Sequence, residues 1–477
     1  MTESLEHWTT GHQEDHSFRK LDVARNTLLE HFSDRLIVNP HFTRQLVSFQ
    51  ISKKTPFFRW LKYKEAFSPD LVDYLFDYVS CEKNLSVLDP FAGTGTVLSR
   101  AAARGWGATG IELMPVGALA LRARQVADRV SLNSFLAAID RLEKWHWRAK
   151  PGYYVYPHVR ITEGAFSKNT EKQLSSFMAL IDSIADKNVR SLFTLACMSV
   201  LEDVSFTRKD GQYLRWDRRA DRARTGRFLK GDIPTFRHAI RQRLKEFAED
   251  LAMRNGGAFS KLVKVIEGSC LTELQKMAGA QFDLVVTSPP YCNRYDYTRT
   301  YALELAFCRY GEEDFRSLRQ TLLSATVENK SKHRELARSY VTLGRSSDFS
   351  QIEASFSRQE ALHEALALLT GARDKGELSN SNIPTLVENY FFEMAVVVFE
   401  LSRILRSGGQ VFLVNDNVRY HGQEIPVDLI LSSLAEDAGL KVEKIWVLPR
   451  GKGNSSQQMG RWGRLELRKC VYHWRKP

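Results

Sequence analysis

The sequence predicts an α/β protein: a doubly wound, mainly parallel sheet interrupted by two mostly helical insertions. Three observations lead there. A short apolar strand, Leu85 to Leu88, runs into Asp89 and a glycine turn, then into a helix from Val97 to Arg104 that breaks at Gly105. A second strand, Ala108 to Ile111, ends in Glu112, completing a β-loop-α-β unit. Far downstream another apolar strand, Phe282 to Thr287, ends in the stiff turn Ser288-Pro289-Pro290-Tyr291.

The other elements follow in order. Residues 17–80 read as largely helical, with one clear start: Ser68 as capping hydroxyl, Pro69 in the first turn, and Asp70 where the helix dipole favours a carboxylate. Leu71, Leu75, Phe76 and Val79 then make an apolar stripe. Residues 113–255 form a long, mostly helical stretch. Sheet character returns at Lys261 to Ile266, and a second helical stretch covers about 296–385. A helix around Tyr390 to Leu405 is expected to stop at Ser407-Gly408-Gly409, a C-terminal glycine signal. Strands are expected at Gln410 to Val414, Lys441 to Leu448 and Leu467 to Trp474. The resulting plan has an N-terminal helical segment (1–80) and a core made from 81–112, 256–295 and 386–477. The two insertions are 113–255 and 296–385.

Composition bounds the function. With 477 residues, 43% hydrophobic and 26% charged, the chain can bury a large core. No apolar run approaches the roughly 18–20 residues that span a bilayer, and the first residues hold no apolar signal region, so no membrane and a cytoplasmic location are expected. Cys81, Cys197, Cys270, Cys292, Cys308 and Cys470 form no C-x-x-C pair, which suits free thiols in a reducing compartment. No metal site is expected, and His7, His12 and His16 read as a solvated tail. The net charge is +12, and the distribution matters more: Arg208 to Lys245 holds thirteen Lys/Arg against four Asp/Glu. A localised surplus of cations is what binding to a phosphate backbone requires, although a solvated helix face explains it equally well.

The first chemical motif is Asp89-Pro90-Phe91-Ala-Gly93-Thr94-Gly95-Thr96. Its glycines let a strand turn sharply into a helix and let backbone approach a ligand. Glu112, 17 residues past Gly95, stands where an acid accepts hydrogen bonds from both hydroxyls of a ribose. Leu98 occupies the place of a third glycine, which argues against a dinucleotide and for a nucleoside lacking pyrophosphate.

The second motif is Ser288-Pro289-Pro290-Tyr291. Ligands of open α/β sheets bind at the carboxyl ends of strands, so this turn is expected beside the nucleoside. Two prolines remove donors and leave carbonyl oxygens as acceptors. A base amine is a poor nucleophile because its lone pair is delocalised into the ring. Acceptors from Ser288 and the Pro289 carbonyl would draw its hydrogens out of plane, and Tyr291 offers a face on which an extruded base stacks.

These residues resemble the amino-methyltransferases of bacterial DNA modification. Asp89 to Thr96 is similar to their cofactor motif and Ser288 to Tyr291 to their catalytic motif, whose Ser variant is typical of cytosine-N4 enzymes; adenine-N6 enzymes usually carry Asp or Asn there. Arg59 to Ser68 resembles the segment that closes over the methionine end, Tyr291 to Phe307 the catalytic extension, and Arg450 to Arg468 the C-terminal loop. The resemblance implies a Rossmann-like methyltransferase sheet and S-adenosylmethionine as cofactor. It implies double-stranded DNA as substrate and a possible partner restriction endonuclease. Asp89, Pro90, Phe91, Gly93, Thr94, Gly95 and Thr96 would hold the methionine portion and Glu112 the ribose. Ser288, Pro289, Pro290 and Tyr291 would handle the base. Where the family commonly shows an acid for the adenine amine, this chain has Glu267-Gly268-Ser269, leaving Ser269 as acceptor. Either insertion is a candidate target-recognition region. The basic stretch favours 113–255, with Arg208, Lys209, Arg215, Arg218, Arg219 and Arg222 as phosphate or base contacts. Cytosine C5 chemistry needs a cysteine directly after Pro-Pro; Tyr291 stands there and Cys292 is one residue late. An RNA methyltransferase and a catalytically silent DNA-binding protein are the remaining alternatives.

Overall fold

The computed structural model describes residues 22–43, 45–79, 84–148, 153–210, 213–221, 228–254, 256–449 and 466–477. Its strands are β1 (Leu36–Val38), β2 (Ser86–Asp89), β3 (Gly107–Glu112), β4 (Thr207–Asp210), β5 (Tyr213–Trp216), β6 (Val263–Glu267), β7 (Phe282–Thr287), β8 (Leu405–Asp416), β9 (Val418–Tyr420), β10 (Gln423–Ile425), β11 (Lys441–Val447) and β12 (Lys469–Arg475). Eight of them form one sheet in the order β1-β11-β12-β8-β7-β2-β3-β6, in which β12 alone runs antiparallel to its neighbours. This is the Rossmann-like methyltransferase arrangement expected from the sequence.

The chain leaves β2 outward through β3 to β6, then returns to the other side of β2 with β7 and β8. The order therefore reverses between β2 and β7, where open α/β sheets bind ligands. Leu88 pairs with Val285 and Val87 with Leu284. Successive side chains point to opposite faces: Leu88 and Val285 join one buried cluster, and Val87, Leu284 and Val286 join the other. Burial on both faces explains why these strands read as continuous apolar runs.

Several sequence expectations hold and several need correcting. The helix after the glycine turn spans Thr96–Ala103, and Ser68 caps the helix Pro69–Val79 by accepting from Leu71 N at 3.2 Å. Residues 22–79 are less helical than expected: Leu36–Val38 adds an edge strand beside β11, and among the described residues from there to Pro69 only the single turn Phe58–Trp60 is helical. The glycines at 408 and 409 do not stop the preceding helix. That helix, Ile383–Ile404, ends when Leu405 turns extended, and both glycines lie inside β8. Phe282 pairs with Leu405 while Leu284 pairs with Gln410, so residues 406–409 bulge from the ladder, and Gly408 takes φ 79° there.

The stretch 113–255 is mainly helical, with helices Pro115–Ala127, Leu132–Glu143, Lys168–Ser183, Lys187–Ser199 and Phe236–Ala252. It also carries the β4–β5 hairpin, which the sequence reading missed. These helices bury their own apolar cluster, joined by Trp60, Leu61, Tyr63 and by Tyr301 to Leu318 of the second insertion. The helices His333–Thr342, Ser346–Ser357 and Glu360–Asp374 pack instead over the sheet, against Ile383–Ile404. No helix among the described residues is long and apolar enough to cross a membrane.

Candidate active site

At the switch point the two motifs meet. Thr287 Oγ1, the last residue of β7, donates to Asp89 Oδ1, the last residue of β2, at 2.7 Å in a fully buried contact. Phe91 N also donates to Asp89 Oδ1, at 3.1 Å. Burial pushes the Asp89 carboxyl up to about 7 against the pull of these two donors.

The turn itself depends on glycine. Gly95 has φ 82°, and a Cβ there would come within 2.4 Å of Leu121 Cδ2. A Cβ on Gly93 would press on Tyr63, at 3.2 Å from Cε1. The tight helix–strand packing that a third glycine would give comes from the opposite partner: a Cβ on Gly110 of β3 would lie 2.5 Å from Leu98 Cδ1.

Glu112 ends β3 beside this turn. Its Oε2 accepts from Gly93 N and its Oε1 from Met114 N, both at 2.6 Å. Burial raises its carboxyl to about 8, opposed by those two backbone donors. Each oxygen keeps a further acceptor site, the capacity needed for two vicinal hydroxyls.

A cleft of about 740 Å³, its open mouth included, joins these groups, within the roughly 300–1,000 Å³ typical of small-molecule sites. Asp89 to Thr94 and Thr96 form one wall, Glu112 to Met114 and Gly268 to Cys270 another, and Ser288 and Pro290 close the end at the tip of β7. Gly95 supports the turn from behind and is not in the lining, and neither are Pro289 and Tyr291. Ser269 lines the cleft and donates to Thr321 O at 3.3 Å, which leaves its hydroxyl able to accept. Ser288 Oγ and Tyr291 OH lie 3.3 Å apart, and burial raises the phenol well above its ordinary value.

The sequence reading did not single out Tyr63, Glu65, Tyr297, Leu322 or Leu323, all of which line the cleft. Tyr63, Glu65 and Tyr297 lie within the two segments recognised by resemblance; Leu322 and Leu323 carry no signal of their own. Glu65 accepts from Tyr301 OH, and the Tyr301 ring stacks on Tyr63 at 5.1 Å. Burial raises the Glu65 carboxyl. The described lining thus contains three carboxylic acids, Glu65, Asp89 and Glu112, and no lysine or arginine. Such a cavity suits a ligand of net positive charge and disfavours a pyrophosphate. S-adenosylmethionine, with one sulfonium, one ammonium and one carboxylate, fits that requirement, and NAD does not.

Cys292 is buried, its carbonyl accepts from Tyr420 OH at 2.6 Å, and burial raises its thiol. It has the surroundings of a structural cysteine. Asn415 donates to Tyr390 OH at 2.8 Å and Asn417 to Glu424, so Asn415-Asp416-Asn417, at the end of β8, builds the fold and does not line the cleft.

The basic stretch separates into parts. Lys209, expected on DNA, is only 2% exposed; its Nζ pairs with Glu304 Oε1 at 2.6 Å and lies over the Tyr301 ring. That expectation is corrected: strand alternation turns Lys209 inward. Arg219 folds back on buried Asp217 through Nε at 2.7 Å and Nη2 at 3.0 Å. Arg208, Arg215 and Arg218 are exposed. Arg222, Cys81, the N-terminal histidines and residues 450–465 of the expected C-terminal loop lie outside the described residues. No cluster of metal-ligating side chains occurs among the described residues.

A methyltransferase-type sheet with an acid-lined cleft at its switch point defines the class of the protein. Over 476 residues the chain is 42% identical to the Type II methyltransferase M.AvaI of Nostoc sp. and of Anabaena variabilis, covering 98% of this chain and 96% of each relative. It is 39% identical over 455 residues to the Type II methyltransferase M.BsoBI of Geobacillus stearothermophilus, covering 91% of this chain and 89% of that one. No protein-family model matches the chain. At these identities and coverages the chain belongs to the bacterial DNA methyltransferase family.

Proposed function

We propose that the protein is a site-specific DNA methyltransferase of a restriction-modification system, using S-adenosylmethionine to methylate the exocyclic N4 of cytosine in double-stranded DNA. The observation that carries this reading is the placement of Ser288. It opens the Ser-Pro-Pro-Tyr turn at the tip of β7, lines the cleft, and is one residue from the Thr287–Asp89 bond that fixes the turn to the cofactor side. The Type II names of the relatives support the modification role and a partner endonuclease of the same specificity.

Asp89 and the Gly93 turn hold the methionine end, Glu112 the ribose, and Ser269 the adenine side; the buried Tyr63 ring packs close to Gly93. When bound, S-adenosylmethionine supplies an electrophilic methyl on its sulfonium. The protein's part is to position the acceptor. Ser288 Oγ and the Pro289 carbonyl accept hydrogens from the target amine, which loosens the conjugation of its lone pair. The Tyr291 ring supports a base extruded from the duplex. After methyl transfer the nitrogen carries a surplus proton, and its loss to solvent restores the neutral amine.

Adenine N6 is the second reading, since the same geometry acts on any exocyclic base amine. Mass spectrometry of nucleosides from duplex DNA treated with the purified protein separates the two. N4-methylcytosine supports the assignment, and N6-methyladenine replaces it.

A further inference from the structure

The β4–β5 hairpin stands apart from the large sheet and has two unlike faces. Thr207, Lys209 and Leu214 are buried on the inner one, while Arg208 and Arg215 are exposed and directly opposite each other in register. Both guanidinium groups lie against the ring of Phe228, at 5.9 Å and 4.7 Å. That flank limits their freedom and holds them side by side.

The hairpin is firmly seated. Lys209 N donates to Glu202 Oε1 at 2.9 Å, and Lys209 Nζ reaches Glu304. Lys230 Nζ donates to Ser205 O at 2.9 Å, just before β4. Past β5, Asp217 accepts from Arg219 and from Lys230 N at 2.6 Å. The seat touches the catalytic end: Lys64 Nζ donates to Lys209 O, and Lys209 Nζ lies 4.2 Å from the centre of the Tyr301 ring. Tyr301 in turn contacts Tyr63 and Glu65 of the cleft lining.

We propose that the β4–β5 hairpin is the element that enters the major groove of the target duplex, with Arg208 and Arg215 reading base edges. This rests on the reading of the protein as a DNA methyltransferase. A two-stranded ribbon, with strands about 4.8 Å apart, fits a groove about 12 Å wide. Arginine makes its best base contact bidentately with O6 and N7 of guanine, so the pair reads guanines close to the extruded base. Arg218, after the hairpin, is a phosphate contact, which positions without specifying.

The test begins with a randomised duplex DNA pool methylated by the wild type, which defines its preferred site. Methylation of that site, and of the same site substituted one base pair at a time, is then compared for wild type, Arg208→Ala, Arg215→Ala and Arg218→Ala. Calorimetric binding of S-adenosylmethionine should be unchanged in all three variants, which shows that each is folded. The hairpin variants should each lose discrimination at a G·C pair by tenfold or more and keep it elsewhere. Arg218→Ala should weaken all sequences alike and flatten the salt dependence. Equal weakening on every sequence by Arg208→Ala and Arg215→Ala, or no change, overturns the reading role while leaving the enzyme assignment intact. A wild type inactive on the duplex pool, whatever the variants do, overturns the enzyme assignment and the hairpin role with it.

Discussion

Thr287 and Asp89 are 198 positions apart in sequence, and the 2.7 Å hydrogen bond between them ties the tip of β7 to the tip of β2. The bond forms because β2 and β7 pair in parallel and end together at the switch point. Asp89 is buried, and a buried carboxylate deprived of a donor carries a desolvation cost of about 1–3 kcal/mol. Thr287→Val keeps the shape and removes the donor. Cofactor affinity should fall by about tenfold and the melting temperature should drop, while Thr287→Ser, which retains a hydroxyl, should stay near wild type. Calorimetry and thermal melts check both. A valine variant that binds cofactor like the wild type would remove Thr287 from the site.

Ser288 stands at the same junction, where the proposed reaction assigns it to the base. Ser288→Ala removes one acceptor for the target amine and leaves Asp89, Glu112 and Gly93 in place. Turnover should fall by about a hundredfold, the scale of one lost hydrogen bond that strengthens in a transition state, with cofactor affinity unchanged. Single-turnover kinetics beside cofactor calorimetry separates the two effects. Equal losses in both would mean that Ser288 serves the cofactor.

The junction was legible in the sequence for a physical reason. A strand buried on both faces is continuously apolar, and the turns at its tip need residues with special backbone properties: Gly93, Gly95, Pro289 and Pro290. The β4–β5 hairpin was not legible. Thr-Arg-Lys-Asp and Tyr-Leu-Arg-Trp hide their alternation, because the inward position 209 is filled by a lysine whose acid partner, Glu304, lies 95 residues away. Leu36–Val38 was missed because three residues are too few to show a period. The glycines in β8 misled because a bulge and a helix stop use the same residue type. Leu322 and Leu323 reach the cleft only through tertiary packing.

Asp89 and Glu112 give the site a pH dependence with a definite sign. Both carboxyls are raised by burial, to about 7 and about 8, far above their unfolded values near 4. A raised acid contributes most to stability below its unfolded value, and that contribution is lost as pH rises through its folded value. The free protein should therefore melt at progressively lower temperature between about pH 5 and pH 8. A cationic cofactor favours the ionised forms, so its binding should tighten over the same range and release protons at pH 7. Calorimetry in two buffers of different ionisation enthalpy counts them. Zero protons released at pH 7 would show that cofactor binding changes the ionisation of neither acid.

Lys209 and Glu304 form a buried pair, each 2% exposed, at 2.6 Å between the hairpin and the catalytic extension. Removing one partner leaves a buried charge without its counterion, at a cost of about 3–5 kcal/mol, whereas replacing both by apolar groups of similar size is often neutral. Lys209→Met should therefore destabilise the protein strongly, and adding Glu304→Leu should recover most of the loss in denaturant unfolding. Glu202 and Glu65 also face this ammonium group, so recovery should be partial at neutral pH and should improve in mild acid as Glu65, raised by burial, protonates, while Glu202, lowered beside Lys209 and Lys62, stays ionised. A lysine serving as a phosphate contact behaves in the opposite way: its methionine variant keeps wild-type stability, loses DNA affinity with a shallower salt slope, and gains nothing from Glu304→Leu. That outcome would return Lys209 to the DNA surface and require the inner face of the hairpin to open.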